Sequence, residues 1–113
     1  MQYDKNNVFY KIIQKELKSN IVLEGVHFIA INDIAPKAPV HVLLIPKGEY
    51  IDYYDFVTKA SSEEIIELNN GVAKLIDMMK LREGGYKVTA NAGKFGMQEV
   101  MHFHIHIMGK PSE

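Results

Sequence analysis

Hydrophobic positions along the chain fall into two periods. Val8, Phe9, Ile12, Ile13 and Leu17 recur at helical spacing behind Asn6 and Asn7, either of which can cap the first backbone N–H groups. From Ile21 to Ile31 branched and aromatic residues dominate, and Glu24-Gly25 interrupts them as a hairpin turn would. Val40 to Ile45 reads as the next strand, with Pro36 and Pro39 at its entrance and Pro46-Lys47-Gly48 at its exit. Ser61 with Glu64 forms a candidate capping box ahead of a long stripe at Ile65, Leu68, Val72, Leu75, Ile76 and Met79. That helix must stop by Gly84-Gly85. Tyr86 to Asn91 then alternates as a strand, residues 91–98 read as a glycine-containing loop, and Val100 to Met108 reads as the last strand. Strands that follow one another through short connections favour an antiparallel α+β sheet over a parallel one, in a single domain over residues 1–113.

The last strand carries the candidate chemistry. On a strand His102, His104 and His106 share one face while Phe103, Ile105 and Ile107 share the other, so an apolar face can pack inward behind three imidazoles. Three readings compete. A solvated, histidine-rich strand face is the plainest. A metal could take two of the three, because same-face residues sit about 6.6 Å apart while zinc–nitrogen bonds span only ~2.0–2.1 Å; the third ligand would come from His41, Asp33 or Glu99. Nucleophilic catalysis uses the pattern more fully. Neighbouring positive charge disfavours protonation of the middle imidazole, and only a neutral one attacks. If Nδ1–H is held by a backbone carbonyl, Nε2 of His104 is left free to attack phosphorus, with His106 assisting the leaving group and His102 orienting its neighbours.

Composition narrows the partners. The 113 residues are 47% hydrophobic and carry 13 basic against 14 acidic side chains, so no broad positive field exists for a nucleic-acid backbone or an anionic membrane. Cysteine is absent, which removes disulfides and thiolate metal sites. No apolar stretch follows a basic start and no run approaches the ~20 residues of a spanning helix, which leads us to expect an unexported, cytoplasmic protein.

The pattern His-apolar-His-apolar-His-apolar-apolar from His102 to Met108 resembles that of the histidine-triad (HIT) family. Residues 8–13, 31–41 and 44–47 and Asn91-Ala92-Gly93 are similar, in order and spacing, to its HINT-like branch, so that the resemblance covers nearly the whole chain. It implies a five-stranded antiparallel sheet with a long helix and a short N-terminal helix, continued across a homodimer. It also implies hydrolysis of purine nucleoside phosphoramidates through a nucleotidyl-histidine, with no cofactor and no metal; the alternative is an AMP-binding or scaffolding protein with little turnover. By the same resemblance His104 is the nucleophile, His106 meets the α-phosphate and leaving group, and His102 with His41 forms a supporting hydrogen-bonded pair. Asp33 takes the ribose hydroxyls, Phe9, Ile12, Ile31 and Ile34 line the base pocket, and Asn91, Met97, Gln98 and Glu99 border the phosphate. Three features depart from the pattern: Glu99 stands where Ser or Thr is frequent, Met97 replaces a glycine, and the chain ends soon after Gly109.

Overall fold

A computed structural model describes residues 2–112. Its elements run α1 (Val8–Ile13), β1 (Ile21–Glu24), β2 (Phe28–Asn32), β3 (Val40–Pro46), α2 (Tyr53–Lys59), α3 (Ser62–Met78), β4 (Tyr86–Thr89) and β5 (Ile105–Gly109). The five strands form one antiparallel sheet in the order β1-β2-β3-β5-β4. This is the expected α+β architecture with one further short helix.

Alternation along the central strands divides the molecule. Phe28, Ala30, Val42, Leu44, Ile105 and Ile107 face α3, where Leu68, Leu75 and Ile76 complete the larger apolar cluster. The intervening residues Ile29, Ile31, Leu43 and Ile45 face the other way and meet Phe9 and Ile12 of α1. His41 and His106 alternate with the first set, so they share the α1 side of the sheet. A helix laid over each face would bury everything; α1 is only six residues long and leaves that side open beyond Phe9 and Ile12.

Local devices start and stop α1 and α3. Ser61 and Glu64 make the full reciprocal capping box of α3, and Asn7 Oδ1, not Asn6, accepts the Tyr10 N–H at α1. α3 ends at Met79, where Lys80 adopts φ 58 and the N–H groups of Lys80 and Leu81 return to the carbonyls of Asp77 and Ile76. That is a Schellman closure with lysine in the position glycine usually takes, so the helix stops before Gly84-Gly85. α1 ends in the same way at Lys15, φ 65, which leaves Leu17 outside the helix and exposed. Within α3, Gly71 lets Phe28 approach: a Cβ there would lie 2.9 Å from the ring.

One expectation about the elements is corrected and one helix is added to them. The last strand begins at Ile105, not Val100, because the N–H of Phe103 leaves the ladder to donate to the Tyr50 carbonyl at 2.7 Å. Tyr53 lies in a helix with no apolar stripe to announce it; Phe56 is its buried residue. Tyr50, half-buried, packs against the main cluster and donates its hydroxyl to Glu64 at 2.7 Å. Burial and the adjoining carboxylate push that phenol up to about 12.

Candidate active site

His102 and His104 precede β5, yet the alternation read from the sequence survives: Phe103 joins the α3-side cluster, while both histidine rings lie edge-on to Phe9 on the other side. The backbone link from Phe103 to Tyr50 holds this short stretch where the ladder does not reach.

The three imidazoles differ in what their nitrogens touch. His102 is wholly buried. Its Nε2 donates to the Pro46 carbonyl at 2.7 Å. A carbonyl only accepts, so the proton sits on Nε2 and Nδ1 is a lone pair, directed at the Tyr3 hydroxyl. His104 donates Nδ1–H to the carbonyl of His102 at 2.8 Å. Its Nε2 is thereby the unprotonated nitrogen. It has no partner among the described residues, where the buried side-chain atom left unpaired is Ser19 Oγ, so Nε2 opens on solvent.

His106 belongs to a second chain of bonds. The Lys37 N–H donates to His41 Nδ1 at 3.1 Å, which places the His41 proton on Nε2. That nitrogen lies 2.9 Å from His106 Nδ1 and 3.4 Å from Asp33 Oδ2. His106 Nδ1 accepts, and its own proton is on Nε2. His41 thus pairs with His106 and Asp33, whereas the expected pairing of His41 with His102 is replaced by contacts of His102 with Tyr3 and Pro46.

Burial sets the protonation states. His102 is pushed down to about 4 by burial first, and by the charge His104 would carry. His106 is pushed down to about 4 by burial, then by the positive charge that His104 and His41 would carry. His104 also lies below the usual imidazole range through burial, partly offset by its bond to the His102 carbonyl and by Asp33 and Glu99. All three rings are neutral near pH 7, and the site offers one lone pair at His104 Nε2 and one donor at His106 Nε2.

The remaining candidates divide. Asp33 is brought to His41 and the histidine pair, and its Oδ1 also accepts the Ala35 N–H at 2.8 Å, so it is a turn residue as well as a site residue. Phe9, Ile12 and Ile31 come together in the smaller apolar cluster, whereas Ile34 stands apart, fully exposed. Asn91 donates to the Gly96 carbonyl at 2.6 Å. Gln98 is buried and fully engaged: its amide donates to the carbonyls of Ile51 and Val100 and accepts the Gly93 N–H. Met97 is exposed and adopts φ 57, so the methionine takes the left-handed conformation for which a glycine would be favoured. Glu99 is exposed. Asp33, His41 and His106 each offer an atom within 4.8 Å of the others, a spacing that could hold a cation. The tautomer opposes it. A ligating histidine normally donates its other N–H outward, but His41 Nδ1 faces a backbone donor, so Nε2 could be freed for a metal only by losing that bond or forming an imidazolate.

The HIT domain model matches residues 14–113. This chain belongs to the HIT family. It is 46% identical over 107 residues to an uncharacterised HIT-like protein of Rickettsia prowazekii, covering 95% of this chain and 89% of that one. It is 37% identical over 108 residues to adenylylsulfatase HINT1 of Arabidopsis thaliana, covering 94% of this chain and 72% of the relative. Among solved structures, a HIT family hydrolase from Legionella pneumophila superposes with a TM-score of 0.86 at 36% identity, covering 95% of each chain. The HIT fold and its five-stranded antiparallel sheet are therefore common to this chain and its relatives. Tyr3, the Pro46 carbonyl and the Lys37 N–H were not legible in the sequence, because a distant aromatic and two backbone groups leave no periodic signal.

Proposed function

We propose that this HIT protein is a hydrolase of purine nucleoside phosphoramidates and related AMP derivatives, working through a nucleotide held on His104. The observation that carries the reading is the difference among the three imidazoles: His102 has both ring nitrogens occupied, His106 presents a proton, and His104 presents a lone pair. A neutral, correctly tautomerised imidazole at the opening of the site is a nucleophile that needs no metal to be activated.

In the first step His104 Nε2 bonds to the α-phosphorus while the bond from phosphorus to the leaving nitrogen breaks. The electron pair goes to that nitrogen, which takes a proton from Nε2 of His106 in its imidazolium form. The extra proton, taken up from solvent with the anionic substrate, sits on Nδ1 while the His41 Nε2–H turns to Asp33 Oδ2, so a neutral ring is left behind. An anionic phosphate laid against His106 opposes the burial that holds its pKa low, and so favours its acid form at the moment of use. Water then attacks phosphorus, the P–Nε2 bond breaks, the pair returns to His104, and the proton from water restores His106. Two in-line displacements release AMP. Phe9, whose ring centre is 4.8 Å from that of His104, stands between the apolar cluster and the nucleophile, which suits a base held at one end and a phosphorus at the other. Asp33 is an acceptor for ribose hydroxyls beside the histidine pair.

The homodimer is proposed at β4. That edge strand exposes Tyr86 and Val88, whereas the opposite edge, β1, carries Glu24 paired to Lys15 and Lys47. Light scattering at micromolar concentration should report about twice the 12.9 kDa of one chain; a monomer removes the dimer and leaves the histidine chemistry. Among the described residues no helix is long and apolar enough to cross a membrane, and we propose a cytoplasmic site of action. The test of function is turnover of adenosine 5′-phosphoramidate with and without chelator. Release of AMP that is indifferent to chelator supports the hydrolase. AMP binding without turnover selects the nucleotide-binding alternative.

A further inference from the structure

Tyr3 lies eleven residues before the matched HIT domain begins, at about a hundred residues' separation from the histidine run, yet it reaches the centre of the site. Its ring lies edge-on to His102, with centroids 5.5 Å apart and planes at 72°, and edge-on to Tyr10 of α1. Its hydroxyl meets two groups. Asn7 Nδ2 donates to the phenol oxygen at 3.0 Å. The remaining contact is His102 Nδ1, which the bond from Nε2 to Pro46 leaves as a lone pair. Both directions are thus fixed: the oxygen accepts from Asn7, and its proton is donated to His102.

We propose that Tyr3 is a positioning residue for the reaction, holding the His102 ring from one side while Pro46 holds it from the other, and so fixing the carbonyl that keeps the His104 proton on Nδ1. This assignment rests on the nucleophilic reading of His104. The wire runs Asn7 Nδ2–H to Tyr3 O–H to His102 Nδ1, through that residue's backbone, to His104 Nδ1–H. Among the described residues no other side chain completes it: without the phenol, a buried imidazole nitrogen has no donor, and burying a bare acceptor is costly. The residue can then rotate or shift its carbonyl to relieve the loss. Burial holds the phenol above its ordinary range, so the donor keeps its proton throughout the neutral region. Asn7 has a second duty, since its Oδ1 caps α1 and so fixes the helix that carries Phe9.

Two variants of the full chain test this. Tyr3→Phe keeps the ring and removes the donor. Asn7→Asp keeps the cap oxygen but turns a donor towards the phenol into an acceptor, drawing the hydroxyl proton away from His102. In both, we expect the 15N resonance of His102 Nδ1 to move towards that of an unbonded lone pair, and exchange of the His104 Nδ1 proton with solvent to quicken about tenfold. For adenosine 5′-phosphoramidate, kcat should fall about tenfold, equivalent to ~1.4 kcal/mol, with KM and AMP affinity within about twofold of the parent. A His102 resonance unmoved in Tyr3→Phe overturns the proposal, as does unchanged His104 proton exchange. A rise in KM with kcat unchanged also overturns it, because the segment would then only pack over the nucleotide. The two resonance readouts need no turnover. If the parent proves inactive, the hydrolase reading falls while Tyr3 is still decided by them.

Discussion

The two faces of the sheet are built from the same strands and do opposite things. On the α3 side every second residue is apolar, and Leu44, Leu75, Phe103 and Ile107 are sealed from solvent. On the α1 side the apolar residues stop at Phe9, Ile12, Ile31, Leu43 and Ile45, and the positions beyond them carry His41, His104 and His106. The first face needs only volume and greasiness; the second needs each nitrogen to have a defined role. A substitution on the first should be read in stability, and one at His104 or His106 on the second in chemistry.

That division can be broken by the largest of the expected effects. Leu75→Ala removes a fully buried side chain of α3 and should cost roughly 2–5 kcal/mol of unfolding free energy. AMP affinity per folded molecule should be unchanged, as measured by calorimetric titration beside a denaturant curve. If AMP affinity falls with stability, the two faces are coupled and the separation is wrong.

Acid sharpens the comparison next. His102 has a folded pKa of about 4 against 6.5 for a free imidazole, so the folded state resists its protonation. The stability this gives is complete above pH 6.5 and is lost as pH falls towards 4, by roughly 3 kcal/mol for that residue alone. Denaturation followed at pH 7, 5.5 and 4 should show the decline, and His102→Asn should flatten it. The same lowering at His104 keeps the proposed nucleophile neutral, so the acid limb of kcat/KM should inflect below 6.5. An inflection above 6.5 contradicts the electrostatics of the site.

How much of this was legible differs by face, for a physical reason. Burial on the α3 side follows from period and hydrophobicity, so the stripe from Ile65 to Met79 and the capping box of Ser61 and Glu64 read directly. The histidine alternation read equally well, because side-chain direction survives where the ladder fails. The ladder itself did not read: the Phe103 N–H goes to Tyr50, a choice made by tertiary contact. α2 has Phe56 as its buried residue and hence no period to detect. Partners were least legible. His41 is joined to His106 across 65 positions and His102 to Tyr3 across 99, and spacing contains nothing about which imidazole a distant group will reach.

The smallest expected effect concerns Asp33. Asp33→Ala should weaken AMP binding by roughly 1.5–3 kcal/mol, the scale of hydrogen bonds to a charged group. Because Asp33 also holds the Ala35 N–H, the loss must be separated from a disturbed turn. Titration with 2′,3′-dideoxy-AMP does so: the parent should prefer AMP and the variant should not. A variant with undiminished preference removes Asp33 from the ribose.

In the proposed reaction His104, the imidazole with a free Nε2, is the residue that bonds to phosphorus. Rapid quenching of the parent with adenosine 5′-phosphoramidate, followed by peptide mapping, tests it most directly. A nucleotide should appear on His104, form and decay fast enough to account for turnover, be absent from His104→Ala, and persist with chelator present. A nucleotide on His102 or His106, or a His104→Ala variant that retains turnover within about tenfold of the parent (~1.4 kcal/mol of barrier), would contradict it.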